Sequence, residues 1–276
     1  MYSLRDMQML TESTYSIETT RKDLNSIVDY FRRQPWQEEI MTAVSENLRH
    51  LPREILDQSK CFFIPEDLSV ESIPEEWRVE AFNLVRKNRF IMAGRFIYPV
   101  MDVKGDVMGF CGWDPYVTPK YLDSKNFGYK ANGNTLYGME MLETYYTSGK
   151  PVYIVEGIIC CLYLRSKGLQ ALALLGSHIS NYCVQIIRRF GKRACIIPDN
   201  DAYGKDLSNL DNLAGEYLVK AAKLKLPNAI VCQSKVAKDI DDTRKFNDGF
   251  CEKKLLRELS QVMVNPWLPL EIVRVR

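Results

Sequence analysis

The sequence predicts an α/β protein with a central, mainly parallel sheet flanked by helices, preceded by an α+β amino-terminal subdomain. Three observations predict it. From Pro151 onward, short apolar runs alternate with helical stretches, the order of βαβ units in a parallel sheet. Just before them, RFIYPVMDVKGDVMGFCGW (95–113) holds two strand-like runs about the turn DVKGD, a hairpin in which Gly105 supplies the turn conformation. Residues 1 to about 92 carry mostly helical periodicity, as in SIVDYFRR and PWQEEIMTAVSENLRHL, broken by Pro52, Pro65 and Pro74.

Taken in order, PVYIV (151–155) is the first strand of the α/β unit. GIICCLYLRSKG then runs as a helix that Gly168 can stop. LQALALLGS (169–177) is the next strand, and SNYCVQIIRRF (180–190) a helix closed by Gly191. RACIIP (193–198) is the third strand. Leu210, Leu213, Ala214, Tyr217, Leu218 and Ala221 then repeat at i, i+3, i+4, i+7, the mark of an amphipathic helix. NAIVCQS (228–234) is a fourth strand. The expected organisation is an amino-terminal subdomain at 1–148, an α/β domain at 149–245, and a helix and tail at 246–276, with DPYVTPKYLDSKNFGYKANGNTLYG as a loop-rich stretch after the hairpin.

Composition sets bounds. With 46% hydrophobic and 26% charged residues over 276, the chain suits a globular core. No apolar stretch approaches the roughly 20 residues of a membrane span, and the start, MYSLRDMQML, lacks the order of a signal peptide. A cytoplasmic protein without membrane contact is expected. The eight cysteines include no CxxC pair and stand with only two histidines, His50 and His178, so no structural zinc is expected. Cys160, Cys161, Cys195 and Cys232 sit in apolar runs, where a reduced thiol acts as a small hydrophobe. A net charge of +2 neither supports nor opposes a nucleic-acid partner, since a balanced total can hide a basic face and an acidic site.

The acidic residues are more informative. Glu156 directly follows the strand PVYIV; Asp199 and Asp201 follow RACIIP; Asp239, Asp241 and Asp242 come shortly after NAIVCQS. Ligands of parallel α/β sheets bind outside the carboxyl ends of the strands. Two carboxylates about 4 Å apart repel by roughly 4 kcal/mol at an effective dielectric near 20, so gathering several calls for raised pKa values or a bound cation. Oxygen-only ligands favour Mg²⁺ or Mn²⁺ over Zn²⁺. Any one of these acids is equally well read as a helix cap. The set at matching strand ends is better read as a cation site.

In order and spacing, VEG (155–157), LLGS (174–177), PDND (198–201) and KDIDD (238–242) resemble the Toprim signature of bacterial primases, topoisomerases and some nucleases. The hairpin RFIYPVMDVKGDVMGFCGW, with KYLDS (120–124), GYK (128–130) and LYG (136–138), resembles the segment that precedes Toprim in bacterial-type, DnaG-like DNA primases, so the resemblance covers about 89–245. It implies a nucleotidyltransferase that makes short RNA primers on single-stranded DNA from ribonucleoside triphosphates. Glu156 would be the acid/base or a metal-adjacent carboxylate, and Asp199, Asp201, Asp239 and Asp241 would hold Mg²⁺, or Mn²⁺ in its place. Arg95, Lys120 and Lys130 would contact nucleotide, primer or template, and Lys125 ranks below them. The resemblance also implies a bacteriophage-encoded replication protein in the host cytoplasm, partnered by a replicative helicase or a separate template-recognition protein.

Departures from the pattern matter as well. Cys160 stands where a second acid often follows the Glu by one helical turn, Trp113 where a basic residue is common, and Asp123 where Asn is usual. Neither an amino-terminal zinc-binding module nor a carboxy-terminal helicase-interaction module is expected within these residues. A Toprim nuclease or topoisomerase-like strand cleaver, and a degenerate non-catalytic Toprim adaptor, are the alternatives. Retention of both DxD pairs argues against the adaptor. The tail's Trp267 and Leu268 are expected to pack back on the core rather than form a docking segment.

Overall fold

The computed structural model describes residues 20–48, 51–78, 85–124, 135–176, 178–199, 225–226, 228–234 and 272–274. Two compact units emerge: Met1–Asn132 with Gly138–Glu143, and Gly133–Tyr137 with Thr144–Arg276.

The first described element of the first unit is helix α1 (Thr20–Arg32), which buries Leu24, Ile27, Val28 and Phe31. That i, i+3, i+4, i+7 stripe is the face a helix lays on a sheet. Helix α2 (Gln37–Ala43) continues as a π-helical turn over Val44–Leu48, and α3 (Arg53–Gln58) follows Pro52. Next come β1 (Phe62–Ile64), the short pair β2 (Val85–Arg86) and β3 (Arg89–Phe90), then β4 (Arg95–Met101), β5 (Val107–Trp113) and β6 (Tyr121–Asp123). The main sheet has the order β1-β4-β5-β6, antiparallel throughout. Phe31 stacks on Phe62 at 5.2 Å between centroids, and Phe62 meets Phe110 edge-on at 5.8 Å, joining α1 to the sheet through an aromatic column.

The expected hairpin is present, and its turn is built by Asp102. Its Oδ1 accepts the N–H groups of Lys104 (2.8 Å) and Asp106 (3.1 Å), while Gly105 adopts φ +83°. Asn25 of α1 ties in from the side: its Nδ2 donates to Asp106 Oδ1 and its Oδ1 accepts the Val107 N–H.

Strand β1 falls in a region expected to be mostly helical. It is only three residues long, and its outer edge is completed by a side chain. Gln37 is buried; its Nε2 donates to the Phe63 carbonyl at 2.6 Å and its Oε1 accepts the Phe63 N–H at 2.9 Å. One carboxamide thus stands in for a neighbouring strand at an edge that would otherwise be open. Gln37→Leu is expected to cost about 1–2 kcal/mol by removing the acceptor of the Phe63 N–H and leaving its carbonyl with only the 3.4 Å contact from Trp36 Nε1. Urea unfolding measures it; an unchanged midpoint would show that the amide contributes nothing.

The second unit takes in helix α4 (Leu142–Thr147) from Thr144 onward. It comprises β7 (Val152–Val155), α5 (Ile158–Ser166), β8 (Gln170–Ala173), α6 (Asn181–Arg188), β9 (Ala194–Ile197), β10 (Ile230–Ser234) and β11 (Ile272–Arg274). The sheet order is β11-β10-β9-β7-β8, parallel except for β11. All four residues of β7 and of β9 are buried, as a strand covered on both faces requires. Helix α6 is capped by the Ser180 hydroxyl, which accepts the Cys183 N–H at 3.1 Å, and turns Cys183, Val184, Ile186 and Ile187 inward.

The expected mainly parallel α/β fold with a preceding α+β subdomain is therefore observed. Two boundaries differ. The strand expected at 169–177 ends at Ala173, because Leu175 and Gly176 take φ values of +61° and +147°, incompatible with an extended strand. Strand β11 lies in the expected tail and pairs antiparallel with β10. The amphipathic helix expected over 208–225 lies outside the described residues except at Lys225, which is helical; the helix expected over 246–263, and Trp267 with Leu268, also lie outside them. Six cysteines (Cys61, Cys111, Cys160, Cys161, Cys183 and Cys195) are buried thiols that form no disulfide, and burial pushes the thiols of Cys61 and Cys183 up. They behave as small apolar side chains. Among the described residues, no helix is long and apolar enough to cross a membrane.

Candidate active site

Parallel pairing dictates where the acids of the second unit go. Val155 at the end of β7 is in register with Ile197 at the end of β9 on one side and Ala173 at the end of β8 on the other. Glu156 and Asp199 therefore emerge from one edge of the sheet. They also touch: the Asp199 backbone N–H donates to Glu156 Oε1 at 2.9 Å. This hydrogen bond to an ionisable acceptor fixes the carboxylate's direction. Glu156 is 9% exposed, so its charge is largely withdrawn from bulk water.

The third strand end closes in from the opposite side. Leu174 N–H donates to the Val155 carbonyl (2.9 Å), and Leu175 N–H donates to the Glu156 carbonyl (3.0 Å). Leu175 makes that contact from the left-handed region, a conformation costing a non-glycine residue about 1 kcal/mol or more. The backbone of Glu156 is thus gripped from LLGS while its side chain is gripped from PDND. Tyr137, from the block LYG, exchanges backbone hydrogen bonds with Ala173 at 2.8 and 3.0 Å. Leu175 and Asp199, 19 and 43 positions beyond Glu156 in sequence, thus meet around one glutamate. β10 runs parallel to β9, so its carboxyl end at Ser234 also lies at this edge. Asp201, Asp239, Asp241 and Asp242 lie outside the described residues. Among the described residues, no cluster of three or more acids, cysteines or histidines forms.

Cys160 sits in the first turn of α5 and is only 6% exposed, so the position that often carries an acid here belongs to the packed interior. Trp113 is likewise buried at the end of β5, opposite Phe96 and Tyr121.

The basic candidates of the first unit separate by environment. Lys120 is exposed, beside the start of β6. Arg95 is 7% exposed, and its guanidinium is committed to backbone: Nη1 donates to the Lys120 carbonyl and Nη2 to that of Pro119, both at 3.0 Å. The arginine stem crosses the sheet over Gly112, where an added Cβ would lie 3.0 Å from Arg95 Cδ. Nothing local in the sequence announces this clamp, because it depends on a glycine across the hairpin. Lys130 and Lys125 lie outside the described residues.

No family model matches the chain. It is similar in sequence to bacterial DNA primases: 32% identical over 133 residues to that of Clostridium acetobutylicum (46% of this chain, 22% of the relative). It is 29% identical over 114 residues to that of Legionella pneumophila (40% and 20%). The match thus spans only about a fifth of the length of these relatives. Among solved structures it resembles the DnaG catalytic core, with a TM-score of 0.66 and 21% identity over 87% of this chain and 80% of that one. It also resembles the RNA polymerase domain of Mycobacterium tuberculosis primase DnaG, with a TM-score of 0.67 and 16% identity over 89% and 84%. The DnaG primase catalytic domain bound to ssDNA gives a TM-score of 0.66 at 20% identity, over 91% and 80%. The fold is that of a bacterial primase catalytic core. By sequence as well as by structure, the chain is homologous to DnaG-like bacterial DNA primases.

Proposed function

We propose that this chain is a DNA primase core, joining ribonucleotides into short RNA primers on single-stranded DNA. The observation that carries the reading is the junction of Glu156 with the Asp199 backbone where β7 and β9 end, within a primase-core fold. A structural neighbour is a primase catalytic domain bound to single-stranded DNA, which supports the same template here.

In this reading, Asp199, Asp201, Asp239 and Asp241 hold Mg²⁺, for which Mn²⁺ can substitute, and Glu156 borders them. The donor set fits such an ion, being carboxylate oxygens rather than thiolates or imidazoles. The ion, when bound, supplies hard positive charge at the nucleotide's phosphates. The primer's 3′-hydroxyl attacks the α-phosphate and pyrophosphate leaves, with Glu156 placed to take the hydroxyl proton as general base. The protein's share is mostly positioning, and the hold on the Glu156 backbone by Leu175 and on its side chain by Asp199 provides it. Lys120 and Lys130 meet phosphates of nucleotide, primer or template; Arg95 contributes through the loop it holds. The chain would work in the cytoplasm beside a replicative helicase or a separate template-recognition protein, and a bacteriophage source fits the resemblance.

The test is synthesis from labelled ribonucleotides on single-stranded DNA of varied sequence, with Mg²⁺, Mn²⁺ or EDTA. Template-dependent oligoribonucleotides with either metal and none with EDTA are expected. Metal-dependent nicking without nucleotides would instead assign a strand cleaver, and no activity in any arm would point to an adaptor.

A further inference from the structure

Three large apolar side chains stand out as exposed among the described residues: Tyr116 (84%), Val117 (41%) and Tyr121 (44%). All lie within six positions of the first unit, and Lys120 lies between them. Exposed apolar residues scattered singly need no explanation, whereas a cluster beside a cation does.

The cluster rests on a braced backbone. Asp114 N–H donates to the Lys120 carbonyl (2.9 Å), closing the 114–120 segment into a loop. Asp114 Oδ1 accepts the Tyr116 N–H at 2.8 Å, orienting the residue that carries the most exposed ring. From beneath, Arg95 donates to the carbonyls of Pro119 and Lys120, so the Lys120 carbonyl is held twice. A buried guanidinium anchors a loop whose outer surface is aromatic and cationic.

We propose that this loop is a stacking platform for single-stranded DNA: the Tyr116 ring takes one face of a base, Lys120 meets an adjacent phosphate, and Arg95 is the positioning residue that holds both in place. The proposal deepens the primase reading and rests on it. The chemistry favours a polymer. An open ring on a loop offers one π-face and no enclosure; that suits a strand also held elsewhere, whereas a free nucleotide needs a concave site. Stacking on one face tolerates any base, as a template of varied sequence demands.

The experiment is fluorescence anisotropy of a short labelled oligothymidylate, and of a matched abasic oligomer, with the parent chain, Tyr116→Ala and Tyr116→Phe. Because Tyr116 is exposed, its variants should melt like the parent, which circular dichroism checks. Tyr116→Ala should bind oligothymidylate about tenfold more weakly, Tyr116→Phe like the parent, and the abasic strand should bind the parent and Tyr116→Ala equally. Unchanged binding of oligothymidylate by Tyr116→Ala, or an equal loss with the abasic strand, would overturn the platform and leave primer synthesis standing. A parent chain that binds no single strand and makes no primer would overturn both readings.

Discussion

Glu156→Gln and Asp199→Ala are each expected to lower primer synthesis by about a hundredfold or more while the chain stays folded. The glutamine variant is the sharper probe. Its side-chain carbonyl can still accept the Asp199 N–H that Glu156 Oε1 accepts at 2.9 Å, so the junction of the two strand ends survives and only the negative charge goes. Asp199→Ala keeps the backbone N–H that makes the same contact, so it too removes the carboxylate without breaking the junction. Initial rates of ribonucleotide incorporation at saturating Mg²⁺, set beside thermal melting of each variant, decide the matter. A folded variant with full activity would remove that residue from the site.

The second large effect is structural. Gly112→Val should destabilise the first unit by about 3 kcal/mol. The new Cβ would lie 3.0 Å from Arg95 Cδ, 3.3 Å from Arg95 Cβ and 3.3 Å from Ile97 Cδ1, and all three atoms belong to residues buried in the sheet. Arg95 cannot swing aside without surrendering the two carbonyls of Pro119 and Lys120. The clash should therefore appear as coupling. In a double-mutant cycle with Arg95→Ala, the two losses should fall short of additivity by more than about 0.5 kcal/mol. Additive urea-unfolding energies would mean that Gly112 and Arg95 are independent, and the account of the clamp would fail.

What could be read from the sequence depended on how local its cause was. The β7 and β9 strands were legible because their burial is continuous and each run ends abruptly at a candidate acid, Glu156 or, after Pro198, Asp199. Helix α1 was legible because Leu24, Ile27, Val28 and Phe31 repeat at helical spacing. Strand β1 was not, since three residues give no period and their edge partner, Gln37, lies 26 positions away. The early end of β8 was hidden in a run of apolar residues, where nothing marks Leu175 for a left-handed backbone. The convergence of Glu156 with Asp199 followed from parallel pairing, a rule of topology. The inward turn of Arg95 followed from no such rule: a basic residue in a matched block suggests a ligand, and only the bare Gly112 on the neighbouring strand, paired with Ile97, lets it lie flat against the sheet.

The alternation of the chain between its two compact units bears on how this protein can be divided. Residues 133–137 belong with the second unit, 138–143 with the first, and 144 onward with the second again. Tyr137 supplies the backbone partner of Ala173, the last residue of the strand that leads to the grip on Glu156. A gene fragment starting at 149 would encode every acid of the candidate centre yet arrive without that partner. The half that carries the candidate acids is consequently not portable as one uninterrupted stretch, and shuffling it into another polypeptide would have to carry the 133–137 segment along.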